Sequence, residues 1–285
     1  MKACFGLPVV VLLVGGGMMA GSRTDFVPDG RTGSAIQRAI DAAAAGGGRV
    51  VLEKGVYESG TLYLKSHVEL HVPEGCVLRG GSRPEDYDDV DDPRITKSPE
   101  KSKKAFIACI GEEDVAITGG GVIDGQGVKF YDTSKRKWGM YPKPPHPRTR
   151  MVQFFRCRNV RFEGVSFLNP PSWTLHIIDS EHLLFRRAKL WNDLMCINCD
   201  GLDLDGCRHV RVEDCDFHTG DDALVVRAIL WPGGSPRAVL EDVVVKNSPL
   251  SSVNANNSTV TISEGSPPSF RGTSYDNLSL VGTCM

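Results

Sequence analysis

A chain of 285 residues can bury a large core, as one extended domain or at most two compact ones. Its 33 Lys and Arg against 35 Asp and Glu give a formal net charge of −2, which provides no basic surface and excludes nucleic acid as an expected partner. The 31 glycines and 7% aromatic content suit a chain of many short strands and turns.

Residues 1–20 read as a secretory leader, with Lys2 as the positive start, an apolar stretch from Phe5 to Val14 and small residues ending at Ala20. About ten apolar residues are too few to cross a bilayer core, which needs roughly twenty. The expectation is a secreted or periplasmic protein without membrane contact once the leader is removed. Removing Cys4 with the leader leaves Cys76, Cys109, Cys157, Cys196, Cys199, Cys207, Cys215 and Cys284, an even set that permits disulfides outside the cytosol. Free Cys is also among the most buried residue types, and most of these are expected as small core side chains. Cys196 and Cys199 form a C-x-x-C with no second pair at zinc spacing, so no metal and no cofactor are expected.

After a polar turn at Asp25 to Gly30, residues 34–45 place Ala35, Ile36, Ala39, Ile40 and Ala43 at helical spacing, with Ser34 as N-cap and Gly46 as stop. From Gly46-Gly47-Gly48 onward the apolar residues alternate in short runs, at Arg49 to Leu52, Thr61 to Leu64, Val68 to Val72 and Cys76 to Leu78. A unit then recurs in which a polar residue precedes an aliphatic alternation: His67-Val68, Asp114-Val115, Asn159-Val160, His182-Leu183, His209-Val210 and Asp242-Val243. The starts lie 47, 45, 23, 27 and 33 residues apart, which reads as one spacing near 23, its approximate double, and versions stretched by loops. A strand unit repeated this way predicts an all-β solenoid, a right-handed parallel β-helix over residues 25–250 whose open end is covered by the short N-terminal helix. A sandwich would need hairpin turns and has no reason to repeat one unit.

Two loops interrupt the repeat. Pro84 to Pro93 carries Glu85, Asp86, Asp88, Asp89, Asp91 and Asp92, which could ligate calcium but read as a solvated loop. Pro142 to Pro147 follows Trp138 and Tyr141, aromatic residues that could stack on a sugar ring.

Carboxylates concentrate at two points between Asn198 and Asp222. Asp200 precedes Asp221 by about one repeat, so Asp200 and the Asp221-Asp222 pair are expected side by side on neighbouring turns, where like charges push one pKa up and leave an acid beside a base. Asp203 and Asp205 are expected only to mark turns.

Asn198-Cys199-Asp200-Gly201-Leu202-Asp203 resembles the N-T-D-G-I-D signature of family 28 of the glycoside hydrolases, and Thr219-Gly220-Asp221-Asp222-Ala223 resembles its T-G-D-D-C/A signature. The entry segment Asp29 to Gly60 and the turn Gly119 to Gly125 are similar to that family as well. The resemblance implies an inverting polygalacturonase-like hydrolase acting on a pectin-type polysaccharide, and a monomer is expected. It implies Asp221 as general acid, Asp200 and Asp222 as activators of a water, and Asn198 orienting its neighbours. Inversion would place acid and base carboxyls roughly 6.5 to 9.5 Å apart. The family's C-terminal G-H-G and R-I-K have no counterpart, since no His follows His218 and residues 251–285 are rich in Ser and Asn. A shortened chain, or a relative with a different substrate subsite, would read this way, and Val239 and Val243 to Val245 are expected to form the last well-matched turn. Two rivals remain: a non-catalytic carbohydrate-binding solenoid, and a polysaccharide lyase, for which Arg227 is the nearby candidate base.

Overall fold

The computed structural model describes residues 24–90, 102–228 and 240–252, with the backbone of short strands at 260–264, 270–271, 274–276 and 280–282. The expected leader, Cys4, Cys284 and residues 91–93 of the acidic run lie outside them, as do most of residues 251–285. No helix among the described residues is long and apolar enough to cross a membrane.

The chain is a right-handed parallel β-helix built from three sheets. Sheet I stacks β1 (Asp25–Phe26), β2 (Gly48–Val51), β5 (Val68–His71), β8 (Glu113–Thr118), β11 (Arg158–Glu163), β14 (Glu181–Arg186), β17 (Arg208–Glu213) and β20 (Leu240–Lys246) in that order. The chain then passes to sheet II, which includes β3 (Gly55–Ser59), β6 (Cys76–Gly80), β9 (Val122–Asp124), β12 (Ser166–Leu168), β15 (Lys189–Trp191) and β18 (Asp216–Thr219). Sheet III completes each coil with β4 (Leu62–Tyr63), β7 (Ala105–Ile110), β10 (Arg150–Phe155), β13 (Leu175–Ile178), β16 (Leu202–Asp205) and β19 (Leu224–Ala228).

The polar residues that open the repeat lie in sheet I or, for His67, directly before it, and His67, Asp114, Asn159, His182, His209 and Asp242 all take a left-handed φ between 52° and 64°. Asn, Asp and His tolerate that conformation better than other residues with a Cβ. Stacked in a column, they also meet one another. The Asn159 amide donates to Asp114 at 2.9 Å, the His182 and His209 rings stack at 4.7 Å, and His209 Nδ1 lies 3.1 Å from Asp242.

The spacings of 45 and 47 residues are single coils, because β8 pairs directly with β5 and with β11. The extra length lies in segments 81–104 and 125–149, both at the corner between sheets II and III. Between residues 105 and 228 the other two corners are short. Gly111-Glu112, Arg156-Cys157, Asp179-Ser180 and Gly206-Cys207 connect sheet III to sheet I, and Gly164-Val165, Arg187-Ala188 and Asp214-Cys215 connect sheet I to sheet II. Beyond Ser252 the backbone still pairs in register, Val260–Glu264 on β19, Ser274–Asp276 on β20 and Leu280–Gly282 on Leu250–Ser252. Coiling therefore continues past Val243 to Val245.

The main apolar core runs from Ile36 to Leu250, with Phe162 stacked flat on Phe185 at 5.0 Å. Cys76, Cys109, Cys157, Cys196, Cys199, Cys207 and Cys215 are buried free thiols. Helix α1 spans Gly33–Ala44 and buries Ala35, Ile36, Ala39, Ile40 and Ala43 against the first coil. Its N-cap is Thr32, whose hydroxyl accepts from the Ala35 amide, and not Ser34. Gly33 must enter the helix first, since a Cβ there would lie 2.3 Å from the Ser59 hydroxyl.

Asn159→Val should cost about 1–2 kcal/mol in urea unfolding, because a β-branched residue is strained at left-handed φ. Asn159→Gly should cost less. Equal losses would assign the effect to the missing contact with Asp114.

Candidate active site

The corner between sheets II and III carries Asp200 and Asp222 at equivalent positions of adjacent coils. The Gly201 amide donates to the Asp222 carbonyl at 2.8 Å, the Leu202 amide to the Ala223 carbonyl at 3.0 Å, and Leu202 is in register with Leu224. Asp221 precedes Asp222 in the tight turn from β18 to β19. One carboxylate oxygen from each of Asp200, Asp221 and Asp222 lies within 4.8 Å of the others. Asp200 and Asp221 are buried, at 6% and 3% exposure, and Asp222 is half-buried. The glycines beside them are required by packing, since a Cβ on Gly201 would lie 2.4 Å from the Ala223 carbonyl and one on Gly220 2.9 Å from that of Cys196.

The surrounding hydrogen bonds fix the backbone. The Thr174 hydroxyl donates to the Asp200 carbonyl at 2.7 Å, and the Thr219 hydroxyl to that of Asp221 at 2.6 Å. Buried Asn192 donates to the Cys199 carbonyl at 2.6 Å. Asn198, also at left-handed φ, positions Asp221 through its main chain: its amide donates to Asp221 Oδ2 at 3.0 Å. The Asn198 side chain turns away and accepts from Arg148 Nη2 at 2.9 Å. Arg148 is 2% exposed and also donates to the Ile197 carbonyl and the Tyr131 hydroxyl.

Asp203 and Asp205 are not turn residues. They lie in β16, fully buried on the face opposite Leu202 and Leu204, where a strand's alternation puts them. Asp205 is in register with Arg227, which donates to it through Nε at 2.6 Å and to Asp203 through Nη2 at 3.1 Å. His176 Nε2 lies 2.9 Å from Asp205, and Trp173 packs edge-on to His176 with the Arg150 and Arg227 guanidinia 5.0 and 5.1 Å from its ring centre. The L-D-L-D alternation was the available signal for Asp203 and Asp205. Arg148, His176 and Trp173 belong to no motif in the sequence and are brought in by register alone.

These surroundings separate the carboxyls electrostatically. Burial, followed by the charges of Asp203, Asp221 and Asp222, raises Asp200 well above the usual carboxylate range. Burial also lifts Asp203 to about 8 against the pull of Arg227. Asp205 is equally buried, but Arg227 and His176 hold it at about 2. Burial lowers His176 to about 4, so it stays neutral in spite of Asp205. The three clustered carboxylates could also chelate a divalent cation, as could His67, Glu113 and Asp114. The acidic run after Pro84 is engaged structurally: Asp86 accepts from the Ser82 and Arg83 amides at 3.0 Å, and Asp89 pairs with Lys104 at 3.3 Å.

Residues 92–230 match the family described as glycosyl hydrolases family 28. A probable polygalacturonase of Vitis vinifera is 26% identical over 220 residues, covering 73% of this chain and 44% of its own length. An exo-poly-alpha-D-galacturonosidase of Dickeya chrysanthemi is 25% identical over 232 residues, covering 67% of this chain and 38% of its own. The chain thus spans less than half of either relative. Among solved structures, a hyperthermoactive exopolygalacturonase from Thermotoga maritima superposes with a TM-score of 0.60 at 25% identity, over 92% of this chain and 70% of that one.

The buried acids predict a pH dependence of stability. A raised Asp holds its proton in the fold and loses it on unfolding, so stability falls as pH climbs from the unfolded value near 4 to the folded value of about 8. His176 acts in the opposite sense, costing stability only as pH falls from about 6.5 toward 4. Between pH 6.5 and 8, then, Asp203 and Asp200 should dominate. The melting temperature should drop across that window, and Asp203→Asn should reduce the drop. A slope that the substitution leaves unchanged would place the titrating proton elsewhere.

Proposed function

The chain belongs to family 28 of the glycosyl hydrolases, and we propose that it is an exported hydrolase of galacturonan-type polysaccharide. The observation that carries this reading is the clustering of Asp200, Asp221 and Asp222 within 4.8 Å at a corner where only adjacent coils could bring them together. Export is supported by the leader-like residues 1–20.

In the proposed reaction the glycosidic C–O bond breaks, the leaving oxygen takes a proton from the carboxyl set, and a water gives its hydroxyl to the anomeric carbon and its remaining proton back to that set. Asp221 is the proton donor. Burial keeps a proton on the cluster through Asp200, and with oxygens this close it is a property of the set more than of one member. Asp200 and Asp222, stacked on neighbouring coils, hold the attacking water between them. A water that accepts or donates at about 2.8 Å to each of two oxygens fits between atoms less than 5 Å apart. The clustering is tighter than the roughly 6.5 to 9.5 Å expected between acid and base of an inverting enzyme. Inversion therefore rests on the water being clasped by the Asp200-Asp222 pair and not lying in a wide acid–base gap.

Arg227 does not suit a lyase. Although burial opposes its charge, Asp205 and Asp203 raise its pKa further and occupy its donors, so the guanidinium has no basic nitrogen to offer. Incubation with polygalacturonate should release reducing ends without an ultraviolet-absorbing unsaturated product, and proton NMR should show the inverted anomer first.

Asp221→Asn should lower hydrolysis about 10² to 10⁴-fold. An aryl galacturonide with a good leaving group, which needs no acid, should recover much of that rate in Asp221→Asn but not in Asp200→Asn. Recovery in Asp200→Asn alone would exchange the two roles. Wild-type rates in both variants would move the chemistry to other residues, and a parent chain without turnover would leave a binding solenoid in place of an enzyme.

A further inference from the structure

The long corner segment 125–149 carries features that the carboxylate cluster does not use. Lys137 and Met140 form a two-bond antiparallel bridge, with Lys137 N to Met140 O at 2.8 Å and Met140 N to Lys137 O at 3.1 Å. Between them Trp138 and Gly139 both take positive φ, 53° and 84°, the pattern of a type I′ turn. Asn, Asp or Gly ordinarily fills the first of these positions. A tryptophan there is strained, and its ring projects into solvent at 85% exposure. Lys137 Nζ sits 4.4 Å from the ring centre.

This turn is anchored to the carboxylate cluster. The Tyr141 amide donates to the Met195 carbonyl at 2.8 Å, so the hairpin is tied to the segment that bears Asn198 and Asp200. The Tyr141 ring meets Tyr131 at 5.9 Å, and the Tyr131 hydroxyl lies 3.0 Å from the Ile197 carbonyl. Tyr131 in turn lines an open cavity of about 530 Å³ together with Lys129, Lys135 and Lys143. Asp132 is the acid lining the same cavity, paired with Lys135 at 2.7 Å. The segment 129–143 thus holds Lys129, Lys135, Arg136, Lys137 and Lys143 against Asp132.

We propose that the cavity and the Trp138 turn form an auxiliary binding site for an anionic glycan, outside the carboxylate cluster. Trp138 stacks on the apolar face of one sugar ring, and Lys129, Lys135 and Lys143 face the carboxylates of its neighbours. Cations without an aromatic platform would bind any polyanion, and a bare tryptophan would bind neutral sugars as well. The combination selects a polyuronate. The identity of the polymer rests on the hydrolase reading above, but the site itself does not.

Binding is measured by calorimetry in the Asp221→Asn chain, so that turnover plays no part, with polygalacturonate, fully methyl-esterified pectin and dextran sulfate as probes. Polygalacturonate should bind, and less tightly as salt is raised. Trp138→Ala should weaken it about tenfold, the scale of losing one aromatic anchor, with an unchanged melting temperature. Lys135→Ala with Lys143→Ala should weaken polygalacturonate but not esterified pectin. Trp138→Ala binding as tightly as the parent overturns the proposal. So does dextran sulfate binding equally well and independently of Trp138. A wild-type dimer that Trp138→Ala dissociates, without glycan binding, would give the ring to a second copy of the chain and also overturn it. A chain that never hydrolyses polygalacturonate but binds it through Trp138 would lose the hydrolase reading and keep this one.

Discussion

The hydrogen bond from the Gly201 amide to the Asp222 carbonyl fixes how one coil lies on the next at the corner where the carboxylates meet. Strands in a parallel ladder sit about 4.8 Å apart, and register decides which residues face each other across that distance. With Leu202 opposite Leu224, the residue two places before each is an aspartate, and Asp205 falls opposite Arg227. A slip by one residue would send Asp203 and Asp205 into the apolar interior and Leu202 and Leu204 out of it. The hydrophobic core thereby enforces the placement of the polar cluster: Leu175, Leu202 and Leu224 stack inside so that the acids can stack outside.

Stacking carboxyls this way carries an electrostatic cost, which is divided among unlike partners. Arg227 holds Asp205 ionised, burial keeps Asp203 protonated, and neutral His176 closes the group from the neighbouring coil. Removing one partner from such a buried set typically costs several kcal/mol, because the remaining charge is left uncompensated. Asp221 is supported differently, by the main-chain amides of Asn198 and Asp222. Main-chain donors cannot be lost to a side-chain substitution, so the geometry at Asp221 depends on the left-handed conformation at Asn198 and on the glycine before it.

Much of this can be read from the sequence, and the division has a physical basis. The repeat is visible because the polar residue opening each unit must tolerate left-handed φ, which favours Asn, Asp or His, as at His67, Asp114, Asn159, His182, His209 and Asp242. The meeting of Asp200 with Asp221 and Asp222 followed from a spacing close to one coil. Interval length alone misled at 45 and 47 residues, since a long loop and a second coil lengthen the chain equally. Asp203 and Asp205 read as turn markers beside their neighbouring glycines, although their alternation with Leu202 and Leu204 is that of a strand. Arg148 and His176 could not be assigned, because their partners Asn198 and Asp205 lie tens of residues away and are chosen by register. The helix cap moved from Ser34 to Thr32 for a similar reason, a contact between Gly33 and the distant Ser59.

The unequal corners of the coil bear on how such a chain can change over evolutionary time. From residue 105 to residue 228, two corners turn through short links whose left-handed residues leave no room for an insertion without shifting the ladder. The third corner accommodates anything from the tight turn at Gly220 to the long segments 81–104 and 125–149. Within those coils, insertions and deletions are therefore channelled to the edge where the acidic cluster lies. A lineage can lengthen, recharge or replace the walls around its cluster while the strands beneath keep their partners. Relatives should then differ most in loop length along that edge, and agree most in the coil that carries them.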